Sequence, residues 1–150
     1  MKDLLDIPPV WLLLAIAAAW SQARLFPPGL SVEGPVTGVL AGLLIGAGVI
    51  LIAAAVLAFR RARTTIMPHQ TPDILITTGI FARSRNPIYL GDALILTGVI
   101  LRLDAVLSLV LVPVFVWWIE RHFIVPEENR MRRAFRADFA SYERKVRRWL

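Results

Sequence analysis

The apolar residues of this chain fall in long blocks and not in the periodic stripes of a water-soluble fold. From Val36 to Phe59 the sequence reads "VTGVLAGLLIGAGVILIAAAVLAF" without a charge, which exceeds the roughly 20 apolar residues a helix needs to cross a bilayer core. Within it Gly38, Gly42 and Gly46 recur at four-residue spacing, laying small residues along one face where a neighbouring helix can approach closely. An earlier block, about Pro8 to Phe26, carries Gln22 and Arg24 near its end, where long side chains snorkel to the interface, and its Trp11 and Trp20 suit the two interfacial belts. Two shorter blocks, Ile88–Leu101 and Ala105–Ile119, are separated only by "RLD" at 102–104. They predict a tight helical hairpin, tilted or incompletely crossing, with Pro113 placed to kink its second arm. Beyond it Met131, Phe135, Phe139, Tyr142 and Val146 recur every three or four residues among arginines and acids, the pattern of an amphipathic helix. Such a helix can lie on anionic headgroups, cap a pocket formed by the loop and the hairpin, or do both.

Charge orients these elements. The chain has 150 residues, 57% of them hydrophobic, and yet a formal charge of +6, so oil and charge must be separated along it. Arg60–Arg63, Arg83, Arg85, Lys2 and the basic tail lie on one side if four segments cross, with only Arg24 and Arg102 opposed. The positive-inside rule then predicts both termini cytoplasmic, a cytoplasmic loop from Arg60 to Pro87 and a cytoplasmic tail from about Arg121. The expected architecture is all-α: an integral membrane bundle of about four transmembrane helices with a cytoplasmic loop and an amphipathic C-terminal helix. It forms a single domain over 1–150, with two membrane helices in 1–62 and the loop, hairpin and tail in 63–150. The first block follows Asp3 and Asp6 and lacks a clear small-x-small cleavage site, so it is expected as a retained helix, not a signal peptide.

Candidate chemistry is narrow. There is no cysteine, and His69 and His122 sit in no ligand-spaced cluster, so no metal site is expected. Ser84 and Ser108 lack a histidine partner by spacing, and no glycine-rich phosphate loop is present. What remains are two polar groups flanking the hairpin, "RSRNPIY" at its entry and "ERHFIVPEENR" at its exit. A hairpin brings its ends together, so Arg83, Arg85, Asn86 and Tyr89 are expected to face Glu120, Arg121, His122, Glu127 and Glu128. Two plainer readings stand beside this one. The positive-inside rule alone accounts for the arginines, and acids next to Pro126 suit an ordinary helix start.

The order and spacing of these residues resemble a known superfamily. Leu75-Ile76 leading to Gly79-Ile80-Phe81, then Arg85-Asn86-Pro87-Ile88-Tyr89, then Glu127-Glu128-Asn129-Arg130-Met131, then Phe135, Phe139 and Tyr142 are similar to the motifs of the isoprenylcysteine carboxyl methyltransferases and phospholipid methyltransferases, small membrane enzymes. The likeness covers residues 65 to 146. It implies S-adenosylmethionine as methyl donor and a lipid or prenylated acceptor entering from the bilayer, with no nucleic-acid partner. It places the cofactor contacts at Asp73, Ile74, Leu75, Ile76, Phe81, Asn86, Pro87, Ile88, Tyr89 and Glu127. In the eukaryotic carboxyl methyltransferases a histidine stands where this chain has Asn86, and an arginine that holds the substrate carboxylate stands where straight alignment puts Phe123. Arg121 and His122 lie close by and are the candidate catalytic pair, Arg121 to position an anionic acceptor and His122, or else an acid, to take a proton from an amine. The implied location is a prokaryotic inner membrane. A catalytically inactive scaffold of the same fold and a nicotinamide-dependent reductase relative are the alternatives.

Overall fold

A computed structural model describes residues 7–26, 29, 31–64 and 73–150. Lys2, His69 and residues 65–72 of the expected loop lie outside the described residues. Among those described, all regular structure is helical. Helix α1 spans Pro8–Leu25 and α2 spans Pro35–Ala62; a 3-10 turn at Gly79–Ala82 leads into α3, Pro87–Arg102. A second 3-10 turn, Val106–Val110, runs into α4 at Leu111–Ile119, a π turn at Glu120–Ile124, and α5 at Val125–Lys145. Helices α1, α2 and α3 each open on a proline, whose missing N–H is one the first turn leaves unpaired in any case and whose fixed φ suits helix entry.

Two stretches are long and apolar enough to cross a membrane by length and composition, Pro35–Ala62 and the run Val106–Lys145. On α2, Val36, Val39, Leu43 and Ile50 stand exposed, an apolar surface that water would not favour. Helices α1 and α3 are shorter, 18 and 16 residues, or about 27 and 24 Å at 1.5 Å rise per residue.

The closest helix contact is between α2 and α3, and it does not use the Gly38–Gly42–Gly46 stripe. Those three glycines have open space where a Cβ would stand. The contact face is Ala41, Gly48 and Ala55, buried and spaced by seven, against Gly91 and Gly98 of α3, also seven apart. A Cβ on Gly48 would lie 2.5 Å from the Gly91 carbonyl oxygen, and one on Gly91 would lie 2.7 Å from that of Gly48. Sequence alone shows small residues on two faces of α2. Only the partner's own small residues decide which face is used.

Helix α1 closes the other side through a core of Ala19, Leu96, Ile100, Phe115, Ile119 and Phe123. Trp11 packs inward on Trp118 with ring centroids 4.7 Å apart, whereas Trp20 is exposed beneath the Arg24 guanidinium. At the end opposite the basic loop, Asp104 ties the α3–α4 turn to the α1–α2 connection. Its carboxylate accepts the Val32 amide at 2.8 Å. The Ser31 hydroxyl, with that amide, holds it below the usual carboxylate range.

The second arm of the hairpin is longer than its apolar block. Val110, Glu120 and Val125 all keep right-handed helical dihedrals, so helical backbone carries on from α4 through the π turn into α5. Pro113 falls in the first turn of α4, where its missing amide is tolerated. Pro126 cannot donate to the carbonyl of His122, and the wider π turn just before it accommodates that lost bond. The break comes later, at Arg136 (φ 42°, ψ −111°), and turns the distal half of α5 back toward the 3-10 turn at Gly79–Ala82. There Phe139, Tyr142 and Val146 form a small core with Leu75, Met131 and Phe135. The apolar stripe of the tail thus packs on the chain's own loop.

Candidate active site

The corner before α3 is held by the hydrogen bonds that Phe81, Ser84, Arg85 and Asn86 make with the tail and with one another. Gly79 opens it at φ 64°, a conformation that glycine adopts without strain. The 3-10 turn sets Phe81 edge-on against Phe59 of α2, with centroids 5.4 Å apart. The buried Tyr142 hydroxyl donates to the Phe81 carbonyl at 2.6 Å, so the tail helix grips the turn directly. Burial pushes that phenol up to about 12, which keeps it a neutral donor. Ser84, 1% exposed, accepts the Asn86 amide through its Oγ at 3.2 Å. Pro87 then starts the helix and biases Asn86 to a non-helical conformation, φ −131°, ψ 58°.

The last residues of the chain complete this corner. The Arg148 carbonyl accepts from Asn86 Nδ2 at 3.0 Å and the Arg147 carbonyl from the Arg85 amide at 3.1 Å. The Arg148 guanidinium donates to both carboxylate oxygens of Glu128, at 3.0 and 2.8 Å, and to Glu120 at 2.6 Å. Trp149 Nε1 donates to the other Glu120 oxygen at 3.0 Å. Arg85 Nη1 sits 3.3 Å from both Glu128 and Glu143, and Arg132 is paired to Glu143 at 2.8 Å. The Arg132 guanidinium, more than Arg85, holds the Glu143 carboxyl below its ordinary range. This network explains Glu128 better than a helix start does. Because helical backbone runs on through Ile124, the first turn of α5 has no bare end for an acid to cap.

Beside the network lies a cavity of about 410 Å³. Phe81, Arg85, Asn86, Pro87, Ile88, Tyr89 and Asp92 line it from the corner and α3, Glu127 from α5, Ile52 and Phe59 from α2, and Ile7, Pro8 and Pro9 from the start of α1. Its walls are largely apolar, and on one of them the Tyr89 hydroxyl donates to Glu127 Oε1 at 2.8 Å. Volume, apolar walls and a few fixed polar groups are the attributes of a small-molecule site.

Six of the residues expected to contact a cofactor, Phe81, Asn86, Pro87, Ile88, Tyr89 and Glu127, meet on this cavity. Asp73, Ile74, Leu75 and Ile76 do not line it. The Asp73 amide donates to Thr64 Oγ1, Ile74 is exposed, and Leu75 packs on the tail core. Arg121 and His122 also stand away from it, exposed on the π turn. The His122 ring stacks on Trp118 at 3.7 Å, and its Nδ1 bonds the Trp118 carbonyl at 3.0 Å; since a carbonyl only accepts, Nδ1 carries the proton. Phe123, where the carboxyl methyltransferases have arginine, is 3% exposed in the main core. Residues not singled out by sequence include Arg148, hidden as one more cation in a basic tail, and Asp92, Ile52 and Phe59, hidden inside apolar runs.

A model of the family "Phospholipid methyltransferase" matches residues 36–138, which takes in α2, the corner, the hairpin and most of α5. No curated protein and no solved structure matches the chain. With over two-thirds of its length inside that match, and with the corner and Glu127 both within it, the chain belongs to the phospholipid methyltransferase family of membrane methyltransferases, in the isoprenylcysteine carboxyl methyltransferase superfamily.

Proposed function

We propose that the chain transfers a methyl group from S-adenosylmethionine to a lipidic or prenylated acceptor at the cytoplasmic face of a membrane, by a site like that of the isoprenylcysteine carboxyl methyltransferases. The observation that carries this reading is the meeting of Tyr89 and Glu127, 38 residues apart, by a 2.8 Å hydrogen bond on the wall of one cavity. That cavity suits the donor in size and in lining: about 410 Å³ lies within the roughly 300–1,000 Å³ of small-molecule pockets. Apolar walls for the adenosyl group are joined by a carboxylate that favours positive charge.

When bound, the donor supplies an electrophilic methyl on a sulfonium, so no oxidant or metal is required. The protein's part is alignment and exclusion of water. Phe59, Phe81 and Ile52 wall the cavity against solvent. Tyr89 fixes the Glu127 carboxylate through its hydroxyl, and the Arg148 carbonyl fixes the Asn86 amide. The Arg148–Glu128 pair holds α5 against the corner, which sets the distance between the two walls. Arg121 and His122 are proposed to meet the acceptor headgroup where it arrives at the interface.

On this reading α1 to α4 form a four-span bundle in a prokaryotic inner membrane with both termini cytoplasmic, and Asp73–Ile76 approach the donor from the loop. The test is transfer of label from methyl-labelled S-adenosylmethionine into a lipid extract by the purified protein in vesicles. Label in the organic phase that disappears in Glu127→Gln supports the proposal. Equal label with and without the protein refutes it.

A further inference from the structure

Asp92 stands on α3 one turn beyond Tyr89, on the wall of the same cavity, and nothing in the reading above uses it. It is 5% exposed, and its Oδ2 is buried with no hydrogen-bond partner among the described residues. Helix rise places it about 7.5 Å along α3 from Pro87. Ile52 and Phe59 of α2 also line the cavity, Ile52 with its side chain against Gly91 and Phe59 against Phe81. The basic side chain on the wall, Arg85, has its Nη1 divided between Glu128 and Glu143 at 3.3 Å each. The backbone cannot swing the carboxylate elsewhere, because the adjacent Gly91 is locked against Gly48.

A buried carboxylate with an orphaned oxygen beside a ligand-sized cavity calls for a partner that the described residues do not provide. In apolar surroundings an ionised acid is strongly disfavoured unless a positive charge comes to it. We propose that Asp92 is the seat of a small organic cation, an ammonium or sulfonium group carried by the molecule that occupies the cavity. Two sources share that chemistry, the methyl donor and an amine on the acceptor. The donor arm rests on the methyl-transfer reading above; the amine arm does not.

Asp92→Asn keeps the shape and removes the charge. Wild type and variant, in neutral detergent, are titrated by calorimetry with two matched pairs of probes: S-adenosylmethionine against 5′-methylthioadenosine, which lacks its charges, and dihexanoyl phosphatidylethanolamine against dihexanoyl phosphatidylglycerol, which lacks the ammonium. The variant is expected to lose about tenfold or more in affinity for the cationic member of one pair and to bind its comparator as wild type does. Selective loss in the first pair assigns the cation to the donor, and in the second to the acceptor. Selective loss for phosphatidylethanolamine in a protein that binds neither adenosyl compound sinks the methyl-donor reading while Asp92 stands. Unchanged affinity for all four probes, equal losses within each pair, or a wild type with no preference for the cationic probes overturns the proposal. Should the asparagine variant fail to fold, Asp92→Leu repeats the comparison with an apolar replacement.

Discussion

Glu128→Gln removes the charge at the centre of the network that ties α5 and the last residues of the chain to the corner. The side chain is 5% exposed and meets Arg148 at 2.8 Å, Arg85 at 3.3 Å and Arg132 at 3.5 Å. Breaking a fully buried pair commonly costs about 3–5 kcal/mol because a bare charge is left behind. Here none of the three cations is left bare: Arg148 keeps Glu120, and Arg85 and Arg132 keep Glu143. Arg132 and Arg148 are also 42% and 31% exposed, so water screens them. The loss therefore falls to that of a charged hydrogen bond, about 2 kcal/mol. For a domain of this size that lowers Tm by about 4–8 °C. Tryptophan fluorescence and far-UV circular dichroism at a fixed scan rate, in one detergent, read the shift. Arg148→Ala should lower Tm similarly, and the double variant should fall short of the sum, since both single changes break the same contact. A shift under about 1 °C for Glu128→Gln, or strict additivity in the double variant, would refute the network as the corner's support.

Gly91→Ala should destabilise the protein by about 1–3 kcal/mol through overpacking against the Gly48 carbonyl, whereas Gly42→Ala, with nothing near its Cβ, should be neutral or slightly stabilising; thermal melts of the two variants compare them directly. Glu143 is held below its ordinary range by Arg132, so its stabilisation is present above that range and lost as pH falls below about 4.5; the acid side of a Tm–pH profile should flatten in Glu143→Gln. Because the chain has no cysteine, single cysteines at Lys2 and Leu150 report topology cleanly, and both should be shielded from an impermeant thiol reagent applied outside intact cells while one at Glu33 is labelled. Labelling at Lys2 or Leu150 contradicts the proposed orientation.

Much of the site was legible because proline and a hairpin leave few choices. Pro87 dictates where α3 begins and releases Asn86 from helical geometry, and the short "RLD" turn brings the entry and exit of the hairpin together, so that Tyr89 faces Glu127 as the grouping of entry with exit residues predicts, whereas Arg121 and His122 of the same exit stand exposed. What was not legible depends on which of several equivalent residues finds a partner. Arg148 is one of many cations in the tail, and only the fold puts its carbonyl beside Asn86 and its guanidinium beside Glu128. The glycines of α2 present two small faces, and the choice of Ala41–Gly48–Ala55 is made by Gly91 and Gly98 of α3. Asp92 disappears into an apolar run because hydropathy averages over the one position where a charge matters. The continuity of α4 into α5 was masked by Pro126, which reads as a helix start but is absorbed by the π turn.

The central claim is that the Asn86–Tyr89 corner and Glu127 form the wall of a methyl-donor site, and equilibrium binding of S-adenosylmethionine tests it most directly. Titration of the wild type by calorimetry, beside Tyr89→Ala, Asn86→Ala and Arg83→Ala variants of unchanged helical content, should show saturable binding. Loss of about tenfold or more is expected at Tyr89 and Asn86, and little change at Arg83, which is exposed and off the cavity. A wild type that does not bind, or Tyr89→Ala and Asn86→Ala variants that both bind undiminished, contradicts the account.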